Sequence, residues 1–325
     1  MMQKTIQIFL FLLLITNQHS IYAANTVSAC TTSEKNFQSQ FDQLEKKYEK
    51  FSSEPFIKGN KPYYKTGSHK KIVYLLHGFI GSPFEMKPIA NLMFKEGYTV
   101  INDLIPGHGI SGTISNHFDE KTWRLHFKKT IQDLRACAIE NQTEINLVGF
   151  STGALLIHDY LIENPDFKPQ SVILFSPFYK ADLAFLAWIK DIASWLTPTV
   201  AVAPLYAISR YQDIQVAVKD TAHYMQNIPL DTATVIQKLG TEVYNKSDLN
   251  SDIPTLLFVS ENDQVLNSDV TLEKTKKDFK NLTVVLFPKK LKIPHHLMVE
   301  SVSTVAEKTW TQSADFILSH SLTKK

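Results

Sequence analysis

Glu144-Ile145-Asn146-Leu147-Val148-Gly149-Phe150-Ser151-Thr152-Gly153-Ala154-Leu155-Leu156-Ile157 is the stretch on which the fold turns. Ile145-Asn146-Leu147-Val148 is a short, largely apolar run of the kind that forms a strand buried on both faces. From Thr152 to Glu163 the apolar residues keep helical spacing. Between the two lies G-x-S-x-G, here Gly149 to Gly153. A chain that turns so sharply from strand to helix puts the central serine on a strained elbow, and the flanking positions must lack side chains to avoid steric clash. The Ser151 hydroxyl then projects from the sheet edge, where a histidine can reach it, and the helix N-terminus favours negative charge developing beside it. Ser151 is the candidate nucleophile.

Outward from this point the pattern repeats. Ile72–Leu76, Tyr98–Ile101, Val172–Phe175, Thr255–Val259 and Leu282–Phe287 are further apolar runs, with helix-patterned segments over Met86–Glu96, 120–140 and after the later strands. That alternation indicates an α/β fold with a mostly parallel, doubly wound sheet covered on both faces. Such sheets carry their sites at the carboxyl ends of the strands. Residues 178–245 break the alternation. They show no clear strand but several apolar helical stretches, including Leu183, Phe185, Trp188, Ile192 and Trp195, punctuated by Pro198 and Pro204. The expectation is a helical cap at 178–245 inserted into a core of residues 61–177 and 246–325. Its apolar face could line a substrate groove or touch a membrane surface, although any cap needs such a face to pack on its core. Residues 25–60 form an N-terminal extension, with Phe37, Phe41, Leu44 and Tyr48 spaced for an amphipathic helix.

The first residues fall outside this scheme. Lys4 precedes the apolar run Ile6–Ile15, which has the length of a signal-peptide core and is too short to span a bilayer. With Ala23-Ala24 following, residues 1–24 are expected to be a cleaved signal peptide and the chain to be exported, periplasmic or secreted. Val27-Ser28-Ala29-Cys30 offers an alternative, a lipoprotein anchored at Cys30. The chain's two cysteines, Cys30 and Cys137, could pair in an oxidising compartment. Two cysteines without close partners and the lack of an HExxH motif argue against a zinc site. The formal net charge of +2 and the lack of a dense basic run give no reason to expect nucleic acid as a partner.

A second motif follows the strand at 72–76: His77-Gly78-Phe79-Ile80-Gly81-Ser82. A turn there can aim a backbone N–H towards the serine's substrate, so the amides of Phe79 and Thr152 are the expected oxyanion hole. His77 reads better as a strand-end residue bonding neighbouring backbone than as a catalytic base. Together with Pro106-Gly107-His108-Gly109, Trp123 and Gly149–Gly153, this motif resembles the carboxylesterase and monoacylglycerol-lipase group of α/β-hydrolases. The resemblance runs from about residue 70 to 165 and returns around 254–300. It implies the α/β-hydrolase fold with a cap, and acyl-ester hydrolysis through an acyl-enzyme without a cofactor. His108 is expected to be structural.

In this fold the order is serine, acid, histidine. Ser260-Glu261-Asn262-Asp263 follows a late strand, and Asp263 matches the group's acid, with Glu261 and Asp269 as alternatives. The histidine should follow the last strand, where His295 and His296 are adjacent. In the group it resembles, many members carry an acidic residue five positions after the catalytic histidine, and Glu300 in that place favours His295; members with apolar residues directly after the base match Leu297-Met298 and select His296. The expected activity is that of a serine carboxylic-ester hydrolase on small-molecule or lipid esters. Thioesterases and acyltransferases share the same triad, and a non-catalytic binding protein would show it broken, which it is not.

Overall fold

A computed structural model describes residues 27–49, 56–68, 70–110, 120–182, 199–201 and 219–321. The expected signal peptide and the cap tryptophans, Trp188 and Trp195, lie outside the described residues. In chain order the elements are α1 (Ala29–Tyr48), β1 (Tyr63–Lys65), β2 (Lys71–Leu76), α2 (Pro83–Lys95), β3 (Thr99–Asp103), α3 (Glu120–Asn141), β4 (Glu144–Phe150), α4 (Thr152–Glu163) and β5 (Ser171–Phe175). They continue with β6 (Thr199–Ala201), β7 (Asn227–Pro229), α5 (Leu230–Asn245), β8 (Thr255–Ser260), α6 (Ser268–Asp278), β9 (Leu282–Phe287) and α7 (Ala306–Ser319).

Seven strands form one sheet in the order β1-β3-β2-β4-β5-β8-β9. Only β1 runs antiparallel to its neighbour. Within β2, Ile72, Tyr74 and Leu76 belong to the core on one face, while Val73 and Leu75 belong to the core on the other. The two-residue period persists although both faces are apolar, which is why such strands read as unbroken apolar runs. Helices α2 and α7 cover one face, and α3, α4 and α5 the other. The polar Asn146 inside β4 is satisfied, accepting from Ser171 Oγ at 2.7 Å and donating to the Ile72 carbonyl at 3.2 Å.

The winding reverses between β2 and β4. From β2 the chain moves outward to β3, then returns to place β4 on the opposite side, and ligand sites of doubly wound sheets lie at that reversal. Register brings the strand ends level there: Leu76 pairs with Gly149, Phe150 with Phe175, and Phe175 with Phe258.

Two features depart from the sequence reading of residues 178–245. A two-stranded antiparallel ribbon, β6 with β7, lies in a segment expected to hold no strand. Each strand has three residues, too few to show a period of two. The end of the segment is also not cap. Helix α5 packs on α3 and α4, buries Ile236, Leu239 and Val243 in the main core, and leads to β8 as an ordinary crossover helix.

Helix α1 starts at Ser28, whose side chain accepts from the Thr31 N–H, and it buries Phe37, Phe41 and Tyr48. Each such aromatic ring contributes roughly 2–3 kcal/mol when moved from water. A disulfide between Cys30 and Cys137 staples α1 to α3.

Candidate active site

Ser151 stands one residue beyond β4 with φ 50° and ψ −111°, a backbone conformation that side-chain-bearing residues rarely adopt. Its surroundings hold it there. The Ser151 N–H donates to the Phe175 carbonyl at 2.8 Å, and its own carbonyl accepts from Leu155 N–H at 2.9 Å in the first turn of α4. A Cβ on Gly149 would lie 2.6 Å from the Ala154 nitrogen, and one on Gly153 would lie 2.6 Å from the His77 carbonyl oxygen. Both positions therefore need hydrogen, so that α4 can close against β4 and against the loop after β2.

The structure brings Ser151, His295 and Asp263 together. His295 Nε2 lies 2.9 Å from Ser151 Oγ, and Nδ1 lies 2.7 Å from Asp263 Oδ2. The second Asp263 oxygen accepts from the amides of Val265 and Leu266 at 2.9 and 3.0 Å. All three side chains are buried. Ser260 joins the loops that carry acid and imidazole: its hydroxyl donates to the Ile293 carbonyl at 2.7 Å and accepts from Asn262 N–H at 3.1 Å. The alternative acids stand elsewhere. Glu261 accepts from the Lys289 amide, and Asp269 sits in the first turn of α6.

His296 is not part of that chain of bonds. Its ring stands at 89° to that of His295, packs against Phe150 and Tyr224, and brings Nε2 to 3.8 Å from Glu85 Oε1. Burial, and then the neighbouring His295, hold its pKa well below the usual 6.5, so it is neutral at pH 7. The two imidazoles diverge rather than converge on a common ion, and among the described residues no cluster of three His, Cys, Asp or Glu side chains could hold a metal.

On the other side of Ser151 the loop after β2 comes close: a Cβ on Gly78 would lie 3.4 Å from Ser151 Cβ. His77 accepts from Ile105 N–H at Nε2 (3.1 Å), which leaves its proton on Nδ1 to donate to the Gly78 carbonyl at 2.7 Å. Burial keeps this imidazole neutral. Thr152 opens α4, where first-turn N–H groups lack partners within the helix. His108 is a buried prop. Its pKa is lowered to about 4, chiefly by burial, and its ring packs edge-on against Phe79 and Trp123. Trp123 Nε1 donates to the Pro106 carbonyl at 3.0 Å, and Gly107 adopts φ 93° in the same loop.

Two buried residues beside this loop, Glu85 and Tyr224, are absent from the sequence reading. Glu85 had a signal, since Ser82-Pro83-Phe84-Glu85 is the S-x-x-E pattern of a helix start. Tyr224 had none.

Residues 67–298 match the family Hydrolase_4, described as serine aminopeptidase, S33. The chain belongs to this family. A thermostable monoacylglycerol lipase of Bacillus sp. (strain H-257) is 26% identical over 226 residues, which cover 67% of this chain and 82% of that protein. Among solved structures, the monoacylglycerol lipase of Paleococcus ferrophilus superposes with a TM-score of 0.61 at 18% identity, over 80% of this chain and 98% of that one. A soluble variant of monoglyceride lipase from Saccharomyces cerevisiae gives a TM-score of 0.60 at 12% identity, over 83% and 91% of the respective chains. These superpositions establish the α/β-hydrolase fold. Helix α1 lies outside the residues that match the family.

Proposed function

We propose that this serine ester hydrolase cleaves monoacyl lipid esters of the monoacylglycerol or lysophospholipid type, with Ser151 as nucleophile and His295 as its base. The observation that carries the reading is the His295 imidazole, bonded through one nitrogen to Ser151 Oγ and through the other to Asp263. His295 takes the serine proton as Oγ attacks the acyl carbonyl and returns it to the leaving alcohol; water then releases the acid by the same route. Asp263 fixes the tautomer and stabilises the imidazolium. The Phe79 and Thr152 amides receive the oxyanion. One such donor contributes about 3 kcal/mol in other hydrolases.

The chain works outside the cytoplasm in this reading. The signal-like run at residues 6–15 and the Cys30–Cys137 disulfide support it, because such bonds persist in oxidising compartments. The disulfide also occupies the thiol that a lipid anchor at Cys30 would need.

The test is hydrolysis of p-nitrophenyl esters from acetate to palmitate, of 1-monoacylglycerols and lysophospholipids, and of aminoacyl p-nitroanilides, with wild type beside Ser151→Ala. Ester cleavage that falls about 10⁴-fold or more in the variant is expected. Cleavage of the anilides without the esters overturns the reading.

A further inference from the structure

An oxyanion hole works to the extent that its donors are fixed before charge develops. Thr152 is fixed by its helix, whereas Phe79 stands in a turn beyond the end of β2. The Gly78 carbonyl and the Phe79 N–H belong to one rigid peptide unit, so a hold on that carbonyl aims the Phe79 N–H, and a hold on the Gly78 N–H fixes the adjoining unit and limits rotation about Gly78 between them. His77 holds the carbonyl of Gly78, as described above. The N–H of Gly78 donates to Glu85 Oε2 at 3.0 Å.

Glu85 is the third residue of α2, behind the N-cap Ser82. A capping-box glutamate turns back to the N–H of the cap residue itself. This one reaches four residues farther, to Gly78. Its carboxyl fills the space that a side chain on Gly81 would need, and it is 3% exposed. Oε1 faces the His296 imidazole across 3.8 Å, with the Tyr224 hydroxyl beside it. The far side of the same turn is held as well, since the Met225 N–H donates to the Ile80 carbonyl at 2.9 Å. Burial raises the Glu85 carboxyl to about 7, which measures how costly the site is for a charge. Helix capping does not need a carboxyl buried so deeply, because an exposed one serves that purpose as well.

We propose that Glu85 is a positioning residue of the oxyanion hole, gripping the Gly78 N–H so that, with His77 on the carbonyl, the Phe79 amide is aimed at the acyl oxygen. The proposal rests on the ester-hydrolase reading above. It is tested with Glu85→Leu and Glu85→Gln, using p-nitrophenyl butyrate as substrate, a phenylboronic acid as the tetrahedral mimic on Ser151, and active-site titration to count folded sites. Glu85→Leu is expected to lower kcat per titrated site by about 10- to 100-fold, leave KM within about twofold, and weaken the boronic acid by a factor matching the loss in kcat. Glu85→Gln keeps an oxygen for the Gly78 N–H and is expected to stay within about fivefold of wild type on both measures. A merely structural role would reduce the number of titrated sites without this matched loss. The proposal is overturned by Glu85→Leu with unchanged kcat per site and unchanged boronic-acid affinity, or by Glu85→Gln losing as much as Glu85→Leu. Should Glu85→Leu not fold, Glu85→Asp, which keeps the carboxyl but withdraws the oxygen, must lose kcat, and wild-type turnover in it overturns the proposal. Wild-type protein inert on every ester refutes the function reading itself; active wild type with indifferent Glu85 variants refutes only the inference.

Discussion

Removing the disulfide, as Cys30→Ser with Cys137→Ala, should cost stability without touching the chemistry. The bond joins residues 107 apart in sequence. In the chain-entropy description, opening a loop of that length returns to the unfolded chain an entropy equivalent to about 5 kcal/mol at 25 °C. Measured losses usually fall short of this limit, so about 2–5 kcal/mol is expected. Unfolding a chain of this size releases about 0.6 kcal/mol/K near the midpoint, so Tm should fall by roughly 3–8 °C. The assay is paired thermal and urea unfolding of the oxidised protein and the variant. The urea m-value should rise, because the unfolded chain loses a cross-link and expands. Ester turnover at 25 °C should hold, since α1 and α3 contribute none of the bonded groups at Ser151. An oxidised protein with two titratable thiols, or a Tm equal to the variant's within about 1 °C, would refute the reasoning.

The adjacent histidines should separate sharply: His295→Ala should lose turnover by about 10⁴-fold or more, while His296→Asn should keep most of it, as steady-state kinetics on p-nitrophenyl butyrate will show. Acid should weaken the fold as the pH falls below about 6.5. His77, His108, His158 and His296 are all held below 6.5, chiefly by burial, so below that pH the unfolded chain binds protons that the folded chain refuses, and stability falls with pH. For His108, lowered to about 4, the full loss is on the order of 3 kcal/mol. Glu85, raised to about 7, works in the opposite sense between roughly pH 4.5 and 7 and offsets about one histidine. The midpoint in urea should therefore drop from pH 7.5 to 5, and a flat or rising profile would contradict the assignment.

Much of the site was legible in the sequence because its constraints are local. Ala154 crowds the elbow at 149 and the loop after β2 crowds it at 153, yet both glycines lie in one five-residue motif, and the loop at His77 follows its strand directly. Asp263 was readable as a carboxylate just past a strand end. The choice between His295 and His296 was not, because adjacent side chains point apart and only the docking of the loop after β9 decides which one faces Ser151. Glu85 was hidden by its own plausibility as a helix-capping residue; that it bypasses the cap for Gly78 is a fact of packing. The ribbon of β6 and β7 is too short to show a period, and α5 was assigned to the cap because its apolar stripe looks the same whichever surface it covers.

The bonded groups Ser151, Asp263 and His295 stand after β4, β8 and β9, and more than a hundred residues separate the first from the other two. No fragment ending before β9 can contain both Ser151 and His295. A chain whose synthesis has not reached His295 therefore lacks the imidazole bonded to Ser151 and is expected to be inert towards esters. For the same reason, recovery of turnover during refolding should lag behind the helical signal, reporting the arrival of the sheet's far edge.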